Sequence, residues 1–348
     1  MNRRKPGLHL TDNPQVNDDI RELVAKWKLD RHSDDFSEMI ASLYRLSQQN
    51  PTSGDMTLFK RSMGELRYAQ RVFAPYRQVK KICIFGSART RPPAPIFEAA
   101  REFARLMTEA KYMTITGAGD GIMGAAQEGA GAAESFGLNI LLPFEQAANA
   151  VIRDDPKLVT FRYFFTRKLT FLRETSAVAV FPGGFGTLDE GLEVLTLMQT
   201  GKARLIPVVL IDQPGGTFWK NFARYISEHL MADKLISPED FHLFKLTTSL
   251  TEARDEILKF YSNFHSYRFV GPYLVMRLQR RLSDKKLELL RREFLSIFDP
   301  PGEMFQRDAL PQEANEPELA HLPRLCFTFN RIHFGFLRLF IDHLNEDE

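Results

Sequence analysis

The chain has 348 residues, 44% of them hydrophobic and 26% charged, with a formal net charge of +2. This is ordinary globular composition, enough for one large domain with additions or for two domains, and the balanced charge gives no support for a nucleic-acid or membrane-surface partner. Two distant cysteines, Cys83 and Cys326, offer neither a disulfide framework nor zinc-ligand spacing, which predicts a reducing, cytoplasmic setting.

The N-terminus is charged but lacks an apolar stretch of signal-peptide type, and no apolar run approaches the ~20 residues of a membrane span. Residues 1–78 read as a polar helical lead. Ile20, Leu23, Val24 and Trp27 share one helical face, as do Phe36, Ile40, Leu43 and Leu46. A third helix is predicted within 57–76. From residue 79 the texture changes. Short runs that are apolar throughout ("KKICIFG", "YMTITG", "LNILLPF", "AVAVFPGG", "RLIPVVLID") alternate with helix-like segments. That alternation predicts a Rossmann-like, doubly wound parallel α/β sheet over 79–266, with ligands at the carboxyl ends of its strands. Residues 267–348 read as a small α+β appendage, two strand–helix units joined by an acidic, proline-containing loop, with no evident catalytic set.

Three predicted strand ends are rich in glycine: Gly86-Ser87; Gly117, Gly119, Gly121 and Gly124; and Gly183, Gly184 and Gly186 before Thr187. Glycine lets backbone approach a ligand, and the following helix offers unpaired N–H groups and a positive dipole end, which together suit phosphate. A dinucleotide fingerprint is weak. Gly119-x-Gly121-x-x-Gly124 fits, but no acid closes the next strand in the ribose position, and a Walker A loop is absent. Thr187-x-x-Glu190 could be a capping box. It could instead belong to a site, with Thr187 on the phosphate and Glu190 facing what the phosphate carries. Arg167 and Lys168 sit at the start of the preceding helix, where the dipole disfavours cations. Either they form a solvated face or they serve a bound anion.

The segment "TRKLTFLRETSAVAVFPGGFGTLDEGLEVLTLMQTG" resembles the Arg-Lys and Pro-Gly-Gly-x-Gly-Thr-x-x-Glu motifs of the LOG (Lonely Guy) family, over roughly residues 80–262. Members of that family were often labelled lysine decarboxylases. The resemblance implies phosphoribohydrolase activity, which cleaves nucleoside 5′-monophosphates such as AMP or cytokinin nucleotides into free base and ribose 5-phosphate. It implies Arg167 and Glu190 as the catalytic pair. Nucleotide contacts would come from Glu145, Lys168, Gly183, Gly184, Gly186, Thr187 and Thr196, beside the glycine-lined ends at Gly86, Ser87, Gly117, Gly119 and Gly121. No metal or organic cofactor is expected. Asp189 reads as a partner of the helix dipole. Apolar residues on more than one face of the helix after Gly186 suggest either core burial or a homodimer. The rival reading is a non-catalytic nucleotide or pterin-phosphate carrier of the same fold.

Overall fold

The computed structural model describes residues 10–143, 147–300 and 302–346. Contacts divide the chain into two units, Met1–Glu65 and Leu66–Glu348. In the first, α1 (Pro14–Lys26) opens on Asn13, whose side chain accepts from the N–H groups of Gln15 and Val16. It packs on α2 (Ser33–Gln48) around Leu10, Ile20 and Ala41. The predicted apolar faces are only partly used. Ile20 and Val24 are buried, whereas Leu23, Trp27, Phe36 and Leu43 are exposed. The helix α3 (Ser53–Phe73) runs from this unit into the second. At its end Phe73 stacks on Phe136 with centroids 4.3 Å apart.

The second unit alternates strands and helices: β1 (Lys81–Phe85), α4 (Pro95–Glu109), β2 (Met113–Thr116), α5 (Ile122–Ala130), β3 (Ser135–Ile140), β4 (Leu158–Phe161), α6 (Phe164–Glu174), β5 (Ala177–Val180), α7 (Phe185–Gln199), β6 (Val208–Ile211), α8 (Phe218–Tyr225), β7 (Lys245–Thr247) and α9 (Leu250–Phe260). The seven strands pair in parallel in the order β4-β3-β2-β1-β5-β6-β7. β1, β2, β5 and β6 are buried along their whole length, as strands covered on both faces must be. Strand order reverses between β1 and β5, so the loops leaving their carboxyl ends part and open a crevice.

The remaining chain forms β8 (Phe264–Val270), β9 (Tyr273–Leu278), α10 (Asp284–Glu293), β10 (Met304–Arg307), β11 (Arg324–Thr328) and α11 (Phe334–Leu344). Both predicted strand–helix units are present as β9–α10 and β11–α11. Two more strands join them in an antiparallel sheet ordered β10-β11-β9-β8. The acidic loop has a physical task. Glu313 lies 2.8 Å from Arg277 and 3.0 Å from Arg324, all three buried, so the loop supplies the charge those arginines need. Leu274, Phe327 and Phe340 continue the apolar core that also covers one face of the parallel sheet.

Candidate active site

Three strand ends meet at the crevice, and glycines set how closely. A Cβ at Gly86 would fall 2.5 Å from Ile122 of α5, and one at Gly183 would fall 2.2 Å from Thr187 Oγ1 and 2.9 Å from the Ser87 nitrogen. Gly121, at φ +67°, faces the Ser87 carbonyl so closely that a Cβ there would sit 2.2 Å from it. Backbone hydrogen bonds lock the same contacts, Ser87 N–H to the Pro182 carbonyl and Ile122 N–H to the Ser87 carbonyl. Gly184 and Gly186 are different. A Cβ at either would meet no protein atom within 4 Å. Their side-chain space is open, on the wall of a cleft of about 810 Å³.

The helix after this turn begins at Phe185, with Gly184 as N-cap and no side-chain cap bond. Thr187 is thus the third helical residue and is buried, which removes the capping-box reading. The first turn of α7 instead presents its N–H groups and dipole to the cleft.

Glu190 lies one turn further along α7. Its carboxylate accepts from Arg167 Nη2 at 3.1 Å and is 3.7 Å from Lys168 Nζ. Both members of the Arg167–Glu190 pair are nearly buried, at 13% and 8% side-chain exposure, yet both line the cleft. Burial pushes the Glu190 carboxyl above the ordinary glutamate range, and Arg167 and Lys168 pull it back. Burial also weakens the hold of Arg167 on its proton, against the charge of Glu190. Phe164 and Phe171 flank the guanidinium, with ring centroids 5.2 and 5.6 Å from Cζ. The guanidinium also approaches the turn that follows β2, where a Cβ at Gly117 would be 3.9 Å from Nη1. A carboxylate kept dry beside two cations, in the wall of an open cleft, can in its ionised form take a proton from water or face a developing cation.

Gly86, Ser87, Gly117, Gly119, Arg167, Gly183, Gly184, Gly186, Thr187 and Glu190 all line the one cleft. Lys168 does not line it. Its ammonium donates to Glu193 and lies 3.0 Å from Asp189, behind the wall. Burial opposes that charge, but the Glu193 and Asp189 carboxylates hold the ammonium above its ordinary range. Asp189 is therefore an ion-pair partner of Lys168, not only a neighbour of the helix dipole. Gly121 packs at the start of α5, and Thr196 is exposed about three turns down α7. Glu145 lies outside the described residues.

Sequence reasoning missed Asn149. This buried side chain donates to the carbonyls of Ala118 and Gly119 and to the Gln127 side chain, while its own N–H binds the Ala118 carbonyl. It thereby holds the Gly117–Gly119 turn, in which Ala118 adopts φ +62°. Its position in a loop without periodicity carries no local signal. Arg89, Asn139, Phe185 and Phe218 also line the cleft, and Phe185 is 92% exposed. Among the described residues, no group of three or more His, Cys, Asp or Glu side chains could hold a metal ion, and no helix is long and apolar enough to cross a membrane.

A family model described as "Possible lysine decarboxylase" matches residues 123–257. The chain is 32% identical over 142 residues to the cytokinin riboside 5′-monophosphate phosphoribohydrolase LOG7 of Arabidopsis thaliana, covering 39% of this chain and 63% of that one. It is 26% identical over 153 residues to LOG2 of the same plant, covering 43% and 69%. Among solved structures, the molybdenum cofactor carrier protein of Chlamydomonas reinhardtii is similar at 19% identity and a TM-score of 0.34, over 51% of this chain and 98% of that one. The family model spans the segment that carries the Arg-Lys and Pro-Gly-Gly-x-Gly-Thr-x-x-Glu motifs, and there the chain is similar to the LOG family.

Proposed function

We propose that this protein hydrolyses the N-glycosidic bond of nucleoside 5′-monophosphates, releasing a free base and ribose 5-phosphate. The observation that carries the reading is the buried Arg167–Glu190 pair facing the same cleft as the open, glycine-lined N-terminus of α7. The phosphate binds the N–H groups at Gly184–Gly186 and the Thr187 hydroxyl. The sugar then lies over Glu190. As the bond from C1′ to the base nitrogen breaks, its electron pair leaves with the base and positive charge grows on the ribose ring. Glu190 faces that charge and takes a proton from the attacking water, whose oxygen bonds to C1′. The departing base gains its proton from solvent. Arg167 orients the carboxylate and keeps it ionised. The named activity of the plant relatives supports this chemistry. Incubation with AMP, followed by chromatography for adenine, tests it. Tight binding of AMP with no adenine released would instead mark a carrier.

Because Lys168 lies behind the wall, we assign it to positioning Glu190. The reaction needs Glu190 ionised, and burial raises its pKa, so kcat/KM falls on acidification at a pH above the ordinary glutamate range. Lys168→Ala removes one of the two cations that lower that pKa, so the acid limb moves to higher pH. A pH–rate profile checks this, and an unmoved limb would return Lys168 to a purely structural role.

A homodimer is also proposed. Val194 and Met198 of α7 are buried in the protein's own core, but Leu192 remains exposed, as do Phe164, Phe165 and Leu169 of α6. Light scattering should give about twice the 40.0 kDa chain mass.

A further inference from the structure

We propose that a second groove, at the amino ends of β1 and β2, binds a small monocarboxylate with an apolar body, its charge held by Lys80 and Lys111 and one of its oxygens by Tyr112. Residues 78–80 lead into β1, residues 110–112 lead into β2, and Leu258 and Tyr261 stand at the end of α9; together they line a cavity of about 450 Å³. That is within the size range of small-molecule sites. The same two strands are followed by Gly86 and Gly117 at their other ends, in the Glu190 cleft. The groove therefore lies at the opposite edge of the sheet, and its test does not depend on the nucleotide reading.

Register sets the donors side by side. Lys81 pairs with Met113, and the Lys80 carbonyl accepts from the Met113 N–H at 3.0 Å, so Lys80 and Tyr112 are neighbours one step earlier. Cys83 and Met113 face one core of the sheet, Ile82 and Tyr112 the other, so alternation puts Lys80 on the Tyr112 side. The Lys80 ammonium lies 3.7 Å from the centre of the Tyr261 ring. Lys157 and Lys168 have carboxylates at 2.7 and 3.0 Å, whereas among the described residues Lys80 forms no ion pair. It is open to an incoming ligand, yet the protein around it lowers its pKa to about 8, a cost that a bound anion reverses.

Tyr112 is the second, independent sign. It is 3% exposed, and among the described residues its buried hydroxyl has no hydrogen-bond partner. The Tyr261 hydroxyl, by contrast, donates to the Ser176 carbonyl at 2.7 Å. A buried phenol without an acceptor is uncommon, because nothing replaces its lost hydration. A small shift of the groove wall lets a ligand oxygen accept from it.

The lining decides the class of ligand. Among the described residues no acidic side chain lines the groove, which offers two ammonium groups and a hydroxyl beside Val79, Ala110 and Leu258. Donors beside apolar surface suit an anion with an apolar body. The helices α4 and α9 end at Ala110 and Tyr261, so the negative ends of two helix dipoles meet here. They steady the lysines but oppose a dianion, which favours a carboxylate over a phosphate.

The test titrates the intact protein with 3-phenylpropionate, its neutral amide and phenyl phosphate, followed by ligand-observed NMR. The carboxylate should saturate, and the amide should bind about 10-fold more weakly or worse. Lys80→Met and Tyr112→Phe should each weaken the carboxylate about 10-fold without lowering Tm, because in the free protein the ammonium has no counter-charge and the hydroxyl no acceptor to lose. Equal affinity in the wild type and both variants would place the carboxylate elsewhere and overturn the proposal. So would an amide that binds as well as the acid, or no saturation below about 10 mM. Phenyl phosphate losing as much affinity as the carboxylate in Lys80→Met would overturn the choice of a carboxylate. A lower Tm in Tyr112→Phe would show that the hydroxyl already serves the fold and overturn its assignment to the ligand.

Discussion

Glu190→Gln is expected to lower kcat by roughly 10³-fold or more, about 4 kcal/mol of barrier, because the amide can neither take the water's proton nor balance a cationic sugar. Binding of AMP should stay within about threefold, since the phosphate contacts lie a turn away on α7. The expected split follows from the geometry. Glu190 accepts from Arg167 at 3.1 Å, and glutamine keeps an oxygen for that bond. The variant should still fold, with a modest loss in Tm because buried Arg167 loses its counter-charge. Single-turnover assay, calorimetric binding and a melting curve together check it. Turnover near the wild-type rate would remove Glu190 from the chemistry.

Removing the phosphate from the substrate should be as severe. If its binding at the α7 turn positions C1′ over Glu190, adenosine should react roughly 10³-fold or more slowly than AMP in kcat/KM, with part of the loss in kcat. Comparing the two substrates in one base-release assay measures this, and equal rates would show that the turn holds no phosphate. The two kinds of glycine give the counterpart on the protein. Gly183→Ala forces a methyl to 2.2 Å from Thr187 Oγ1, so it should destabilise by about 1–3 kcal/mol. Gly186→Ala meets nothing in the protein and lies inside a helix, so it should stabilise by about 0.5–1 kcal/mol. Its methyl occupies the space assigned to the ligand, so AMP affinity should fall even as Tm rises.

Much of the parallel sheet was legible because β1, β2, β5 and β6 are short, largely apolar runs buried throughout, the first three of them followed by glycine-rich turns. The strand β4 was not. Its four residues sit at the sheet edge with Thr160 exposed, and the aromatic run Phe161–Phe165 obscures where strand yields to helix. β8 and β10 were hidden for a related reason: most of their residues are half-buried, so neither alternation nor a continuous apolar run marks them.

Within the site, the Gly183–Thr187 turn could be found because close packing leaves a run of glycines in sequence, whereas Arg167 and Glu190 were paired only through the resemblance to the LOG family. The capping box was a false lead, since a helix that starts at Phe185 places Thr187 inside its first turn. Lys168 was misplaced because a helix start does not show which neighbour will claim its ammonium, and here Glu193 and Asp189 do. Asn149 acts through contacts that arise only when distant segments meet, so no local pattern marks it.

The most direct test is a crystal structure of the Glu190→Gln variant with AMP bound. The phosphate should accept from backbone N–H groups at Gly184–Gly186 and from the Thr187 hydroxyl, with residue 190 directly beneath C1′. Nucleotide lodged elsewhere, or a sugar turned away from residue 190, would contradict the account.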